Sequence, residues 1–373
     1  MALHLTNFQP LSLGSKPDMI AIDDDGTIAP GAIKGAQTID CEGCYLSPGW
    51  CDLHVHIWHG GTNISVRAHQ AGRATGVTAM ADAGSAGEAN FIGLREYVID
   101  PSEETIRAFL NIGSIGLVAC NRVSELIDMR SINIDKTLAT IENHRDVICG
   151  VKVRASAVIL GGWGMTPVKI AKHGARVANL PLMIHVGEPP PLLDEILDIL
   201  EPGDIITHCF HGKTAGAITD TAALFERVRQ HAQSGVVLDI GHGVASFNFE
   251  VARHALGEGL FPDTISTDLH LRNIDGPVYD MALTLSKFLA LGMPLDAVIT
   301  AVTRRPRAIL GLDSGVAAGG RADFTVFSLD DANEQVLDSQ ANTLTLDHVL
   351  APRLTIMGTS VCPAERRKPQ KTI

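Results

Sequence analysis

Between residues 48 and 275 one theme recurs: a short apolar run rich in Val, Ile and Leu ends in a polar residue, and a helix-like stretch follows. The runs are GWCDLHVH (49–56), GVTAMADAG (76–84), FLNIGSIGLV (109–118), VICGVKVRA (147–155), PLMIHVGE (181–188), DIITHCF (204–210), GVVLDIG (235–241) and DTISTD (263–268). They show little polar alternation, as expected of parallel strands buried on both faces. Between them SEETIRAFL, DKTLATIENH, MTPVKIAKHGARVAN and TDTAALFERVRQHAQS carry helical patterning. Eight strands, each followed by a helix, are the count that closes a parallel sheet on itself. The expected fold class is therefore α/β, a (β/α)8 TIM barrel over residues 48–315.

The chain ends read differently. Residues 1–47 are turn-rich, with 23–26 breaking two extended pieces. Residues 316–363 are also extended, with a turn at Gly319 and Gly320 and the strand-like ADFTVFSL. Neither end can bury a core alone, so the two are expected to pair into one small β domain. Residues 364–373 read as a disordered tail, and Arg366, Arg367 and Lys368 within it as a solvated charge run.

Composition narrows the functional classes. The 373 residues are 45% hydrophobic, enough for a large core. The formal charge of −12, with no long basic cluster, argues against a nucleic-acid surface. The first residues lack a charged segment followed by an apolar one, so no secretory signal is expected. The apolar stretch 281–302 is interrupted by Lys287, Pro294 and Asp296 and reads as a buried helix pair, not a membrane span. Seven irregularly spaced cysteines suit a reducing cytoplasm. A homo-oligomer is the expected assembly, since most oligomers are symmetric copies of one chain.

The strongest chemical signal is CDLHVHIWHGG at 51–61. His54 and His56 lie two apart on a strand, so their side chains share a face. Paired imidazoles are poor core residues and good metal ligands. His185 and His208 end the fifth and sixth runs and Asp268 ends the eighth, at the end of the barrel where catalysis occurs. Lys152 sits between Val151 and Val153 in the fourth run, where burying an ammonium is costly. Any one of these has an ordinary structural explanation; six at strand ends point to a metal site. His242, in the GHG turn 241–243, and Arg154, two residues beyond Lys152, are candidate substrate contacts. Trp58 and His59 in the first loop, and His270 and Arg272 after Asp268, are candidate pocket residues. GGWG at 161–164 is a candidate lid.

This constellation resembles the amidohydrolase superfamily over residues 45–330, and TAVTRRPRAILGL followed by GVAAGGRADFTVF is similar to that superfamily's link between barrel and β domain. The resemblance implies two divalent metal ions, with zinc suited to so many histidines. His54, His56 and Asp268 would hold the more buried ion, and His185 and His208 the second. Lys152 would bridge them as a carbamate. The implied nucleophile is a hydroxide held between the ions, with Asp268 as proton shuttle.

The dihydroorotase pattern places an arginine two residues past the second histidine; here that residue is Trp58. LSPGWCDLHVH, VKVRAS, MIHVGEPP and ITHCFHG are instead similar to a dihydroorotase-like branch that hydrolyses acylated small acids. The resemblance implies a deacetylase or esterase acting on a small molecule. The substrate would be an acetyl ester of an α-hydroxy acid such as mandelate, or an N-acetyl amino acid. The rival enzyme reading is a cyclic-amide hydrolase of the dihydroorotase or hydantoinase type. A mononuclear deaminase would use a glutamate such as Glu188, but Lys152 argues against it. A non-catalytic scaffold barrel would have lost ligand positions that are all filled here.

Overall fold

The computed structural model describes residues 1–120, 122–313 and 317–369. The boundary expected at 315/316, and residues 370–373 of the expected tail, lie outside these residues. Seven parallel strands run in sequence order around the sheet: Trp50–Val55, Val77–Gly87, Thr105–Asn111, Ile148–Ala155, Leu182–Val186, Ile205–Thr207 and Val237–Asp239. Residues 263–268 fill the remaining gap. Thr264 bridges Asp239 on one side and Leu269 bridges Val55 on the other, both parallel. The backbone N–H groups of Ile240, His242 and Gly243 bond to the carbonyls of Thr264, Ser266 and Thr267, and that of His56 to the carbonyl of Leu269. The ring is thereby nearly closed.

The third strand departs from expectation. It covers Thr105–Asn111, so most of SEETIRAFL, which reads as helical, is strand. Gly113 bridges Ile132, and residues 114–118, read as the strand's second half, form turns beyond it, with Gly116 at φ +57°. The helices fall as expected at Ile134–Asn143, Thr166–Ala178, Ala222–Gln233, Met281–Ala290 and Leu295–Val302. No described helix is long and apolar enough to cross a membrane.

Strand parity divides the barrel into two environments. Val151, Val153, Ile184, Ile206 and Leu238 face outward into the large apolar cluster beneath the helices. Cys51, Leu53, Ala79, Ala81, Phe109, Met183 and Ile205 fill the lower interior, and Leu310 packs with them. Residues with the same inward parity but nearer the C-terminal strand ends are polar: Lys152, His185, Thr207 and Asp239. A register shift between Asp52 and Val55 brings His54 and His56 onto that upper interior surface. An apolar floor under a polar mouth follows directly from this arrangement.

Both chain ends supply β structure. Leu3–Thr6 pairs with Met19–Ile22 and Gln37–Asp40, while Tyr45–Pro48 joins a second sheet with Asp323–Leu337, Thr343–Met357 and Ser360–Pro363. Leu3, Leu5, Ile22, Leu46, Phe324 and Ile356 share one small core. The ribbon formed by Asp323–Leu337 and Thr343–Met357 reaches further than this core: Val336, Leu346 and Leu350 of its distal half belong to the barrel's own apolar cluster. The segment 364–369 is not a free tail. Arg366 pairs with Glu334 at 3.0 Å, the Arg367 N–H donates to buried Asp280, and the Glu365 N–H donates to the Ala74 carbonyl. The buried Asp280 carboxylate needs such a donor, which explains why this charge run is anchored.

Candidate metal centre

All six residues expected at the metal site converge at the floor of one cavity of about 500 Å³ at the C-terminal end of the barrel. Asp268 Oδ1 lies 3.4 Å from His54 Nε2 and 3.2 Å from His56 Nε2. The His185 and His208 rings meet edge to face at 4.3 Å, and those of His54 and His208 lie 5.1 Å apart. One ligand atom each from His54, His208 and Asp268 fall within 4.8 Å of one another. His208 and Asp268 both hold positive φ, +69° and +49°, a left-handed conformation uncommon outside glycine but more accessible to His and Asp than to most residues.

Hydrogen bonds behind the rings set their tautomers. The Thr207 hydroxyl lies 2.7 Å from both His54 Nδ1 and Asp239 Oδ2. Its single proton goes to the carboxylate, so it accepts from His54 Nδ1–H, and His54 Nε2 carries a lone pair. His208 Nδ1 lies 2.6 Å from the Gly241 carbonyl, which can only accept, so His208 Nε2 is likewise unprotonated. His56 Nδ1 bonds to the Ser85 hydroxyl at 3.0 Å. Asp239 is a hub, accepting also from Thr264 and Ser266. Asp52 accepts from Thr267 and from the His54 N–H, tying the first strand to the eighth segment. Thr207, Ser85, Asp239 and Asp52 were missed by sequence reasoning. The one available signal was Asp239, a carboxylate flanked by Leu238 and Ile240 in an apolar run.

The electrostatics follow from burial. Desolvation, reinforced by neighbouring positive charge, holds His54 and His185 well below the usual imidazole range. Desolvation also takes His208 down to about 3, against the pull of Asp268. Burial alone would raise Asp268, but the hydrogen bond from His56 and the charges of His270 and His56 hold it below the usual carboxylate range. Lys152 is 1% exposed, and burial lowers it to about 7 although Asp268 and Asp239 oppose the shift. Its Nζ has the Met183 sulfur, 3.2 Å away, as its one hydrogen-bond partner among the described residues. Gly84 makes room for this side chain, since a Cβ there would stand 2.8 Å from Lys152 Cγ.

These observations fit a cation. A lone pair on His54 Nε2 and a carboxylate oxygen face each other with no proton between them, an arrangement that is repulsive unless a positive ion bridges it. Neutral imidazoles at His54, His185 and His208, an ionised carboxylate and a buried amine brought down to about 7 suit ligation.

The cavity wall is cationic on a chain of net charge −12. Arg122, Arg154, Lys213 and Arg272 line it, and among the described residues Glu188 is the one carboxylate in the lining besides Asp268. Arg154 is gripped bidentately by buried Glu125, at 2.6 and 2.5 Å. Glu188 accepts from Ser156 at 2.6 Å and pairs with Lys213 at 3.1 Å. Ile64, Leu117, Ile127, Val158 and Val244 supply the apolar lining. His270 lines the cavity as expected. His242 does not: its ring is fully buried behind the mouth and bonds to Lys287 at 2.8 Å. The positive φ of both flanking glycines turns it away from the site. Trp58 is also absent from the lining; its indole covers Gly61 and Gly93.

Comparison with known proteins finds the chain 49% identical to a deacetylase of Agrobacterium fabrum, over 98% of this chain and 93% of the relative. A deacetylase of Brucella anthropi is 47% identical over 99% and 94%. A crystal structure described as a dihydroorotase superimposes with a TM-score of 0.95 at 47% identity, covering 99% of both chains. No family model matches.

Proposed function

The chain belongs to the amidohydrolase superfamily, as a metal-dependent hydrolase of its deacetylase branch, and from that premise we propose that it removes acetyl groups from small carboxylic acids using two zinc ions. The observation that carries this reading is the unprotonated His54 Nε2 facing Asp268 Oδ1 at 3.4 Å. His54, His56 and Asp268 would hold the deeper ion, and His185 and His208 the outer one. Lys152 would bridge them as a carbamate: its amine nitrogen bonds to the carbon of CO₂ and releases one proton, and the resulting anion offers two oxygens. When bound, such ions lower the pKa of water to near neutrality and polarise an acyl carbonyl.

The chain's own residues do the rest. Asp268, kept ionised, accepts the proton of the attacking water and returns it to the leaving oxygen or nitrogen. Arg154, oriented by Glu125, turns its remaining nitrogen, Nη1, which lies 3.8 Å from the Cys120 sulfur, toward the substrate carboxylate. Ile127, Val158 and Val244 offer an apolar wall for the substituent on the α-carbon. An acetyl ester of an aromatic α-hydroxy acid, or an N-acetyl amino acid, has this combination of charge and apolar bulk. The expected cytoplasmic, homo-oligomeric setting is part of the same proposal.

The rival cyclic-amide reading is favoured by the similar structure described as a dihydroorotase. Zinc-loaded protein offered acetyl-mandelate, N-acetyl amino acids and dihydroorotate decides between them. Acetate release is the expected result. Faster opening of dihydroorotate would establish the rival, and purified protein that takes up no divalent metal would remove both.

A further inference from the structure

The turn 241–243 presses directly on the metal centre. Gly241 and Gly243 have φ of +47° and +58°. A Cβ on Gly241 would stand 2.8 Å from His208 Nδ1, and one on Gly243 would stand 2.6 Å from Asp268 Oδ2. The Gly241 carbonyl accepts the His208 Nδ1–H, and the N–H groups of His242 and Gly243 bond to Ser266 and Thr267 just before Asp268. Where this turn sits therefore decides where His208 and Asp268 sit.

The supports of the turn lie behind it. His242 Nδ1 is 2.9 Å from the Gly243 carbonyl and must carry the proton of that bond, so Nε2 accepts from Lys287 Nζ at 2.8 Å. Burial, then the charge of Lys287, keeps His242 neutral, far below its ordinary range. Fully buried Lys287 gives its other two protons to the carbonyls of Pro277, at 2.7 Å, and Leu337, at 2.9 Å. Three acceptors thus meet the three protons of one ammonium. Leu337 ends the first strand of the ribbon, and the ribbon's tip continues the contact. Ser339 Oγ lies 3.1 Å from the Gly243 carbonyl, 3.4 Å from that of His242 and 3.2 Å from the Phe247 N–H. Asp338 accepts from the Phe249 N–H at 2.9 Å, and Gln340 Nε2 donates to the Gly212 carbonyl at 2.8 Å. Neither Lys287 nor the tip lines the substrate cavity.

We propose that Lys287 and the ribbon tip 337–340 are positioning elements of the metal centre: they hold the 241–243 turn and, through it, set the His208 tautomer and the Asp268 carboxylate. The inference rests on the metal assignment above. Cobalt(II) uptake by the full chain tests it, read by the visible absorption bands, by the rate of cobalt release to a chelator, and by amide exchange across 240–245. Lys287→Met is expected to shift the bands and speed release about tenfold, the lower range for losing an outer support of a ligand. Ser339→Ala, a small change that keeps the ribbon, should move all three readouts the same way by less. His242→Gln can still donate to Gly243 and accept from Lys287, and should retain wild-type bands. A purely structural role would lower the melting temperature and leave the bands alone. Wild-type bands, release and exchange in Ser339→Ala would overturn the inference even if Lys287→Met fails to fold. A wild-type chain that takes up no cobalt would remove the metal assignment, and this inference with it.

Discussion

Thr207→Val isolates the support of a single ligand. The hydroxyl stands 2.7 Å from both His54 Nδ1 and Asp239 Oδ2, and all three groups are buried. Valine keeps the shape and removes both bonds. A hydrogen bond to a charged group contributes about 1.5–3 kcal/mol, and a buried donor left without an acceptor costs about 1–3 kcal/mol. Part is recovered, because His54 Nδ1 and Asp239 Oδ2 are 3.9 Å apart and a shift of about 1 Å lets them bond directly. That shift drags His54 Nε2 from its place beside Asp268. A net loss of about 2 kcal/mol is expected, divided between stability and metal binding, with zinc affinity falling about tenfold or more. Competition against a chromophoric chelator measures the affinity, and urea unfolding of metal-free protein measures the stability. Thr207→Ser, which keeps the hydroxyl, should stay within a few-fold of wild type. Wild-type zinc affinity in Thr207→Val would refute the bridge as a support of the site. Equal losses in the valine and serine variants would assign the effect to packing around residue 207 rather than to the hydroxyl.

Lys152→Ala should lose most of its bound metal, and short carboxylic acids such as propionate should restore part of the activity; unchanged metal content and rate would make the lysine structural. Asp268→Asn should lower turnover about 10²–10⁴-fold, the usual worth of a general acid–base group, while metal analysis still finds substantial zinc. Glu125→Gln keeps the shape but weakens the grip on Arg154, so KM for an acetylated acid should rise more than kcat falls, and uncharged acetyl esters should be insensitive. Asp280 is raised by burial from 3.8 to about 6 against its backbone hydrogen bonds. The folded state then holds more protons than the unfolded one between those values, and stability falls as pH rises from about 4 to 6. Asp280→Asn should flatten that slope, as chemical denaturation across the window would reveal.

The barrel was legible because strands buried on both faces lack alternation, which few other folds require. The third strand was displaced because Ile106 and Leu110 are four apart, which suits a helix, while Ile106, Ala108 and Leu110 also alternate as a strand. Short apolar runs satisfy both periods, and the sheet on either side settles the matter. The ligands were legible as anomalies: imidazoles and an amine where apolar side chains belong. Thr207 and Ser85 gave no such signal, since hydroxyls are ordinary strand residues and gain meaning only across strands. The register sets Arg154, His185, Thr207 and Asp239 side by side on four successive strands, a relation invisible along the chain. His242 shows the converse error. Its place at a strand end suggested the mouth, but two left-handed glycines reverse the backbone on either side and send the ring outward, against Phe247 and to Lys287. In a barrel, position along a strand tells how near a side chain lies to the chemistry, and backbone handedness tells which way it points. Only the first can be counted from residue numbers, so the groups that touch a reaction are easier to find in a sequence than those that hold them in place.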